Sequence, residues 1–72
     1  MTYRATFYGR AGDRRDITCR ALIECVGGKI RRTGSEAVIA DRFYVFDLAD
    51  DLLPDLEPAC NQANIKVELL NE

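Results

Sequence analysis

Arg42-Phe43-Tyr44-Val45-Phe46-Asp47-Leu48 is the strongest strand signal in this 72-residue chain. Its mostly apolar run, Phe43 to Phe46, suits a central strand contacted on both faces. Working upstream, Ala37-Val38-Ile39-Ala40 reads as the continuation of a hairpin or its partner strand. Gly34-Ser35 reads as a turn, and Lys29 to Thr33 as a short strand with Ile30 inward. Thr2 to Tyr8 alternates, with Tyr3, Ala5 and Phe7 on one face and Thr2, Arg4, Thr6 and Tyr8 on the other. Gly9 to Gly12 breaks that strand. Asp13 and Asp16 can each cap a helix and Gly27-Gly28 stops one, so the first helix runs from residue 14 or 17 to Val26.

Downstream, Asp50-Asp51-Leu52-Leu53-Pro54 opens a second helix with Asp50 or Asp51 as its cap. Pro58 would remove an interior hydrogen bond, which predicts a broken or late-starting helix, regular near 55–63. Leu52, Leu56, Ala59, Cys60 and Ala63 supply its buried face. Asn64 punctuates, and Ile65, Val67 and Leu69 alternate as a last strand. The order βαββαβ predicts an α+β, ferredoxin-like domain spanning 1–72. It has a four-stranded antiparallel sheet, strand order 4-1-3-2, with two helices on one face.

A chain of this length buries only about 60% of its unfolded surface, so a homodimer is expected to help hold it. The first helix points the same way. Cys19, Leu22, Ile23 and Val26 form its core stripe, but Ile17, Ala21 and Cys25 widen the apolar arc and confine Asp16, Arg20 and Glu24 to a narrow strip. A helix on a sheet needs an arc of somewhat more than ~100°, so either a second subunit or the second helix covers the excess.

Composition, 47% hydrophobic and 31% charged, is that of a folded chain. No apolar run approaches the roughly 20 residues of a membrane span, and Met1-Thr2-Tyr3-Arg4 leads into a strand pattern rather than a signal peptide; the expectation is a cytoplasmic protein without membrane contact. Cys19, Cys25 and Cys60 are odd in number and lack paired spacing, which fits free thiols in a reducing compartment and no metal. Net charge is −2. Residues 1–36 hold eight basic and four acidic side chains and residues 37–72 two and eight, an asymmetry that marks an anion-binding face, a head-to-tail partner or a solvated surface.

With no histidine and one serine, the common hydrolase constellations cannot be assembled within a subunit, and the expectation is a non-enzyme without a cofactor. Asp47, Asp50 and Asp51 lack the glycine and terminal glutamate of an EF-hand loop. Gly9-Arg10-Ala11-Gly12 lacks the third glycine of a dinucleotide loop. The binding chemistry lies in Gly9-Arg10-Ala11-Gly12-Asp13-Arg14-Arg15-Asp16. There, free N–H groups and the positive helix end favour an anion, Arg10, Arg14 and Arg15 can fork onto a carboxylate or phosphate, and Asp13 can receive an ammonium group. The same stretch also reads as an exposed charged loop with an Asp cap.

The βαββαβ order, the Gly-containing strand-to-helix loop and the first helix ending in Gly27 shortly before Ile30 resemble the ACT domain, across nearly the whole chain. ACT domains are small regulatory modules that commonly bind amino acids at dimer interfaces. In that family a small-residue turn and an Asn-Ile pair open the second strand; the matching stretch here is Val26-Gly27-Gly28-Lys29-Ile30, with Lys29 in place of the Asn. The family's Arg-Pro-Gly before the helix has no proline counterpart, and by spacing its glycine falls on Arg14, with Gly12 two residues early. The resemblance implies an amino acid or other small anion as ligand, with Gly12, Asp13, Arg14 and Lys29 as carried-over candidates beside Arg10.

Two other classes use the same pattern. Arg42-Phe43-Tyr44-Val45-Phe46 is similar to the aromatic third strand of an RNA-recognition motif, with Phe7 or Tyr8 as the first-strand aromatic, but the glycines between the third-strand aromatics are missing. The sequence pI of about 5.0 also argues against nucleic acid. A purely structural interaction subunit fits the lack of chemistry equally well.

Overall fold

The computed structural model describes residues 1–35 and 41–70. The elements are β1 (Thr2–Tyr8), α1 (Arg14–Cys25), β2 (Lys29–Ser35), β3 (Asp41–Asp47), a 3-10 turn (Asp50–Leu52), α2 (Leu53–Gln62) and β4 (Lys66–Leu69). They form one antiparallel sheet in the order β2-β3-β1-β4, the split βαβ arrangement read from the sequence. Ala37 to Ala40, read as hairpin or strand, lie outside the described residues.

Alternation decides which residues enter the core. Tyr3, Ala5 and Phe7 are buried, and their neighbours on β3, Phe46 and Tyr44, share that face. Tyr3 stacks on Phe46 with ring centroids 5.8 Å apart, and Phe7 on Tyr44 at 6.3 Å. Cys19 and Ile23 from α1 and Leu56 and Cys60 from α2 close over this layer, with Ile65 entering just ahead of β4. Both helices therefore lie on one face.

Helix α1 starts at Arg14 because Asp13 caps it: the Asp13 carboxylate accepts the Asp16 N–H at 3.0 Å. It stops at Gly27, φ +87°, where the Gly27 N–H returns to Glu24 O at 3.1 Å and the Gly28 N–H to Ile23 O at 2.9 Å. Ile17 is 62% exposed, and Ala21 and Cys25 are also exposed. Helix α2 thus leaves the outer arc of α1 open, which answers one of the two possibilities the sequence raised.

Three stretches depart from their sequence reading. Helix α2 becomes regular only at Leu53, after the 3-10 turn and close to the expected 55, but it runs through Pro58 unbroken. Pro58 lies in the second turn on the exposed side, so its missing N–H costs one bond near the helix start. Asp50 and Asp51 do not cap; the 3-10 turn carries the chain into the helix, and the Asp50 carboxylate accepts the Tyr3 hydroxyl at 2.8 Å. Gly34-Ser35 is no turn but the end of β2, paired with Phe43 and Arg42. A Cβ on Gly34 would come within 2.8 Å of the Phe43 ring, so this glycine makes room for an aromatic neighbour.

Candidate functional site

Asp16 is the one buried charged residue among the described residues. It sits in the first turn of α1, three residues before Cys19, so its side chain points toward the sheet. One oxygen accepts the Gly12 N–H at 2.7 Å; the other accepts the Tyr44 hydroxyl at 2.5 Å and Arg42 Nε at 3.2 Å. Arg42 then donates to Ser35 Oγ at 2.9 Å and Thr33 Oγ1 at 3.0 Å, while Thr33 Oγ1 donates to Phe43 O at 2.8 Å. One carboxylate thereby ties the β1–α1 loop, α1, β3 and, through Arg42, the edge strand β2.

Burial alone raises the Asp16 pKa, but hydrogen bonds from Tyr44 and Gly12 and the Arg42 charge outweigh it and hold the carboxyl below its usual range. Tyr44 moves up, through burial and then its bond to the Asp16 anion. Asp13 is lowered by the Arg10 and Asp16 N–H groups, the first at 2.8 Å. The anion-attracting position at this helix start is thus already filled by the chain's own Asp13 and Asp16.

The polar strip of α1 forms one wall of a cleft of about 610 Å³ against β2 and β3. Asp16, Arg42 and Tyr44 form its floor and Ile30 and Thr33 line the β2 side; Arg20 and Glu24, paired at 3.2 Å and well exposed, lie on its rim with Lys29. A second depression of about 560 Å³ is lined by Tyr8, Gly9, Arg10, Asp13, Arg14 and Arg15. The fold therefore brings Arg10, Asp13 and Arg14 together around the loop, puts Lys29 in the other cleft, and spends the Gly12 N–H on Asp16. Sequence reasoning had placed Asp16 on the polar strip and Arg42 at a strand start, and missed their pairing. The available signal was a charge two residues before Tyr44, on the inward face of β3.

Among the described residues, no cluster of three or more Cys, Asp or Glu side chains is placed to hold a metal ion, and no helix is long and apolar enough to cross a membrane. No family model, curated protein or solved structure matches the chain. Architecture and clefts define a class: a small ferredoxin-like α+β domain of the kind that can serve as a regulatory or small-molecule-binding module.

Proposed function

We propose that this chain is an ACT-like, non-catalytic regulatory module that holds a small zwitterionic or anionic metabolite, with an amino acid as the simplest case, and works as a homodimer. The observation that carries the reading is the α1–β2 cleft, whose rim offers cations and a carboxylate within one concave surface. A ligand carboxylate pairs with Arg20 or Lys29, and a ligand ammonium with Glu24. Regulation then follows from linkage, since a ligand that prefers one arrangement of the subunits stabilises it.

The test is thermal unfolding screened against amino acids and small carboxylates. A ligand at 100 times its dissociation constant adds about 2.7 kcal/mol, which raises the midpoint of a domain this small by roughly 10–20 °C. Glu24→Gln and Lys29→Ala should remove that shift while changing the unliganded midpoint little, because exposed charges contribute under about 1 kcal/mol. Arg14→Ala, in the loop depression, should retain it. No shift with any member of the screen would leave a structural interaction subunit as the better reading.

The homodimer rests on the uncovered arc of α1. Ile17, Ala21 and Cys25 face away from the sheet, and a second copy of the same helix is the self-complementary cover for them. Sedimentation should find a dimer for the natural sequence and a monomer for Ala21→Glu. A natural-sequence monomer at high micromolar concentration would end the dimer reading and leave the cleft unaffected.

A further inference from the structure

The two outer edges of the sheet, β2 and β4, are built differently. Strand β2 is interrupted by a bulge between Ile30 and Arg32, which breaks the even spacing that an added strand needs. Strand β4 pairs with β1 in unbroken register, and nothing among the described residues pairs with its other side. The Leu70 N–H donates to Thr2 O at 2.9 Å; bonding alternates along an antiparallel pair, so Glu68 and Lys66 also turn their backbone toward β1. Val67 and Leu69 therefore turn their N–H and C=O groups outward. Their side chains lie on the helix face, where Val67 is partly buried and Leu69 is 48% exposed. Lys66 and Glu68 are exposed on the opposite face, Glu68 across from Arg4 and Lys66 across from Thr6. Among the described residues Lys66 has no carboxylate partner.

We propose that β4 is a docking edge for a second copy of this chain, paired antiparallel about a two-fold axis at Val67 so that the two sheets become continuous. The edge is self-complementary in that register. Val67 exchanges both backbone hydrogen bonds with the partner's Val67, and the Leu69 N–H reaches the carbonyl of the partner's Ile65, whose own N–H is spent on Cys60. Lys66 comes opposite the partner's Glu68, and Glu68 opposite the partner's Lys66. Moving the axis to Lys66 or to Glu68 would set like charges against each other, so charge selects the register. On the helix face Leu69 is laid beside the partner's Ile65, which covers an apolar side chain that the fold leaves exposed. Asn64, at φ +59°, turns the chain away and limits the ladder to residues 65–69. A second copy supplies by symmetry both the acid and the base that this edge requires, and the contact is separate from the outer arc of α1.

A ladder this short is a weak contact, with an expected dissociation constant of about 1–5 mM, above the micromolar range in which an α1 dimer is read. The test uses the full chain carrying Ala21→Glu, which blocks any α1 contact, so the two interfaces stand or fall separately. In an NMR dilution series the amide signals of Val67 and Leu69 should show the largest shifts with concentration. Lys66→Glu and Glu68→Lys should each weaken association at least about ten-fold, because both symmetric copies of a charge pair become repulsive, and the double reversal should restore it. Glu68→Lys also lowers the net negative charge of the chain, so a contact governed by overall repulsion would strengthen instead. No dilution shift up to about 5 mM would overturn the proposal. So would shifts that miss Val67 and Leu69, single reversals that leave association unchanged, or a double reversal no better than either single one.

Discussion

Asp16→Ala should lower the thermal unfolding midpoint by about 12–40 °C. The substitution removes the acceptor for Arg42 Nε, the Tyr44 hydroxyl and the Gly12 N–H at once. The Arg42 and Asp16 side chains are only 11% and 12% exposed, so the remaining guanidinium is a nearly buried, uncompensated charge. Breaking such a pair from one side costs about 3–5 kcal/mol. Small domains have about 5–15 kcal/mol in total, and each kcal/mol lowers the midpoint by about 4–8 °C at this size. Chemical denaturation should give that loss directly. Asp16→Asn, which still accepts from Tyr44, should lose less, and Asp16→Ala with Arg42→Met should recover part of it because no charge is then left unpaired. If Asp16→Ala matched the natural sequence within about 1 kcal/mol, the tie between α1 and β3 would be no more than a surface contact.

The same carboxylate shows what could and could not be read from the sequence. Strand and helix order followed from periodicity, because Tyr3-Ala5-Phe7 and Cys19-Ile23 each have one burial geometry that works. Punctuation also read true at Gly27 and Asn64, which both take positive φ. Local rules misled where a tertiary neighbour decided the outcome. Gly34 looked like a turn until Phe43 was laid across it, and Asp50 looked like a cap until Tyr3 claimed its carboxylate. The candidate site fared less well for a related reason. Sequence proximity groups Arg10, Asp13 and Arg14 around one loop depression, but the polar strip of α1 and the far-off Thr33, Arg42 and Tyr44 meet only once β3 lies between β1 and β2.

The second large effect concerns alkaline pH and the two cysteines that join the helices to the core. Cys19 and Cys60 are fully buried; burial pushes the Cys19 thiol up to about 12 and the Cys60 thiol to about 11, with a nearby Cys60 and Glu57, respectively, as lesser causes. Their unfolded value is 9.0. Since the folded pKa lies above the unfolded one, the native state favours the neutral thiol. The associated stability is complete below pH 9 and declines as pH rises toward the folded values. At about 1.4 kcal/mol per unit the two thiols together remove several kcal/mol, comparable to the whole stability of a small domain. Tyr44, also raised by burial, adds to the loss above its own unfolded value of 10.0. Near-UV circular dichroism should therefore show a cooperative loss of tertiary signal between about pH 9 and 11, coincident with thiolate absorbance at 240 nm. Cys19→Ala removes the more strongly shifted group, so its transition should move to higher pH even though the smaller side chain lowers stability at pH 7. A natural-sequence protein that stays folded through pH 11, or a Cys19→Ala transition at lower pH, would show that ionisation of these thiols does not limit the native state.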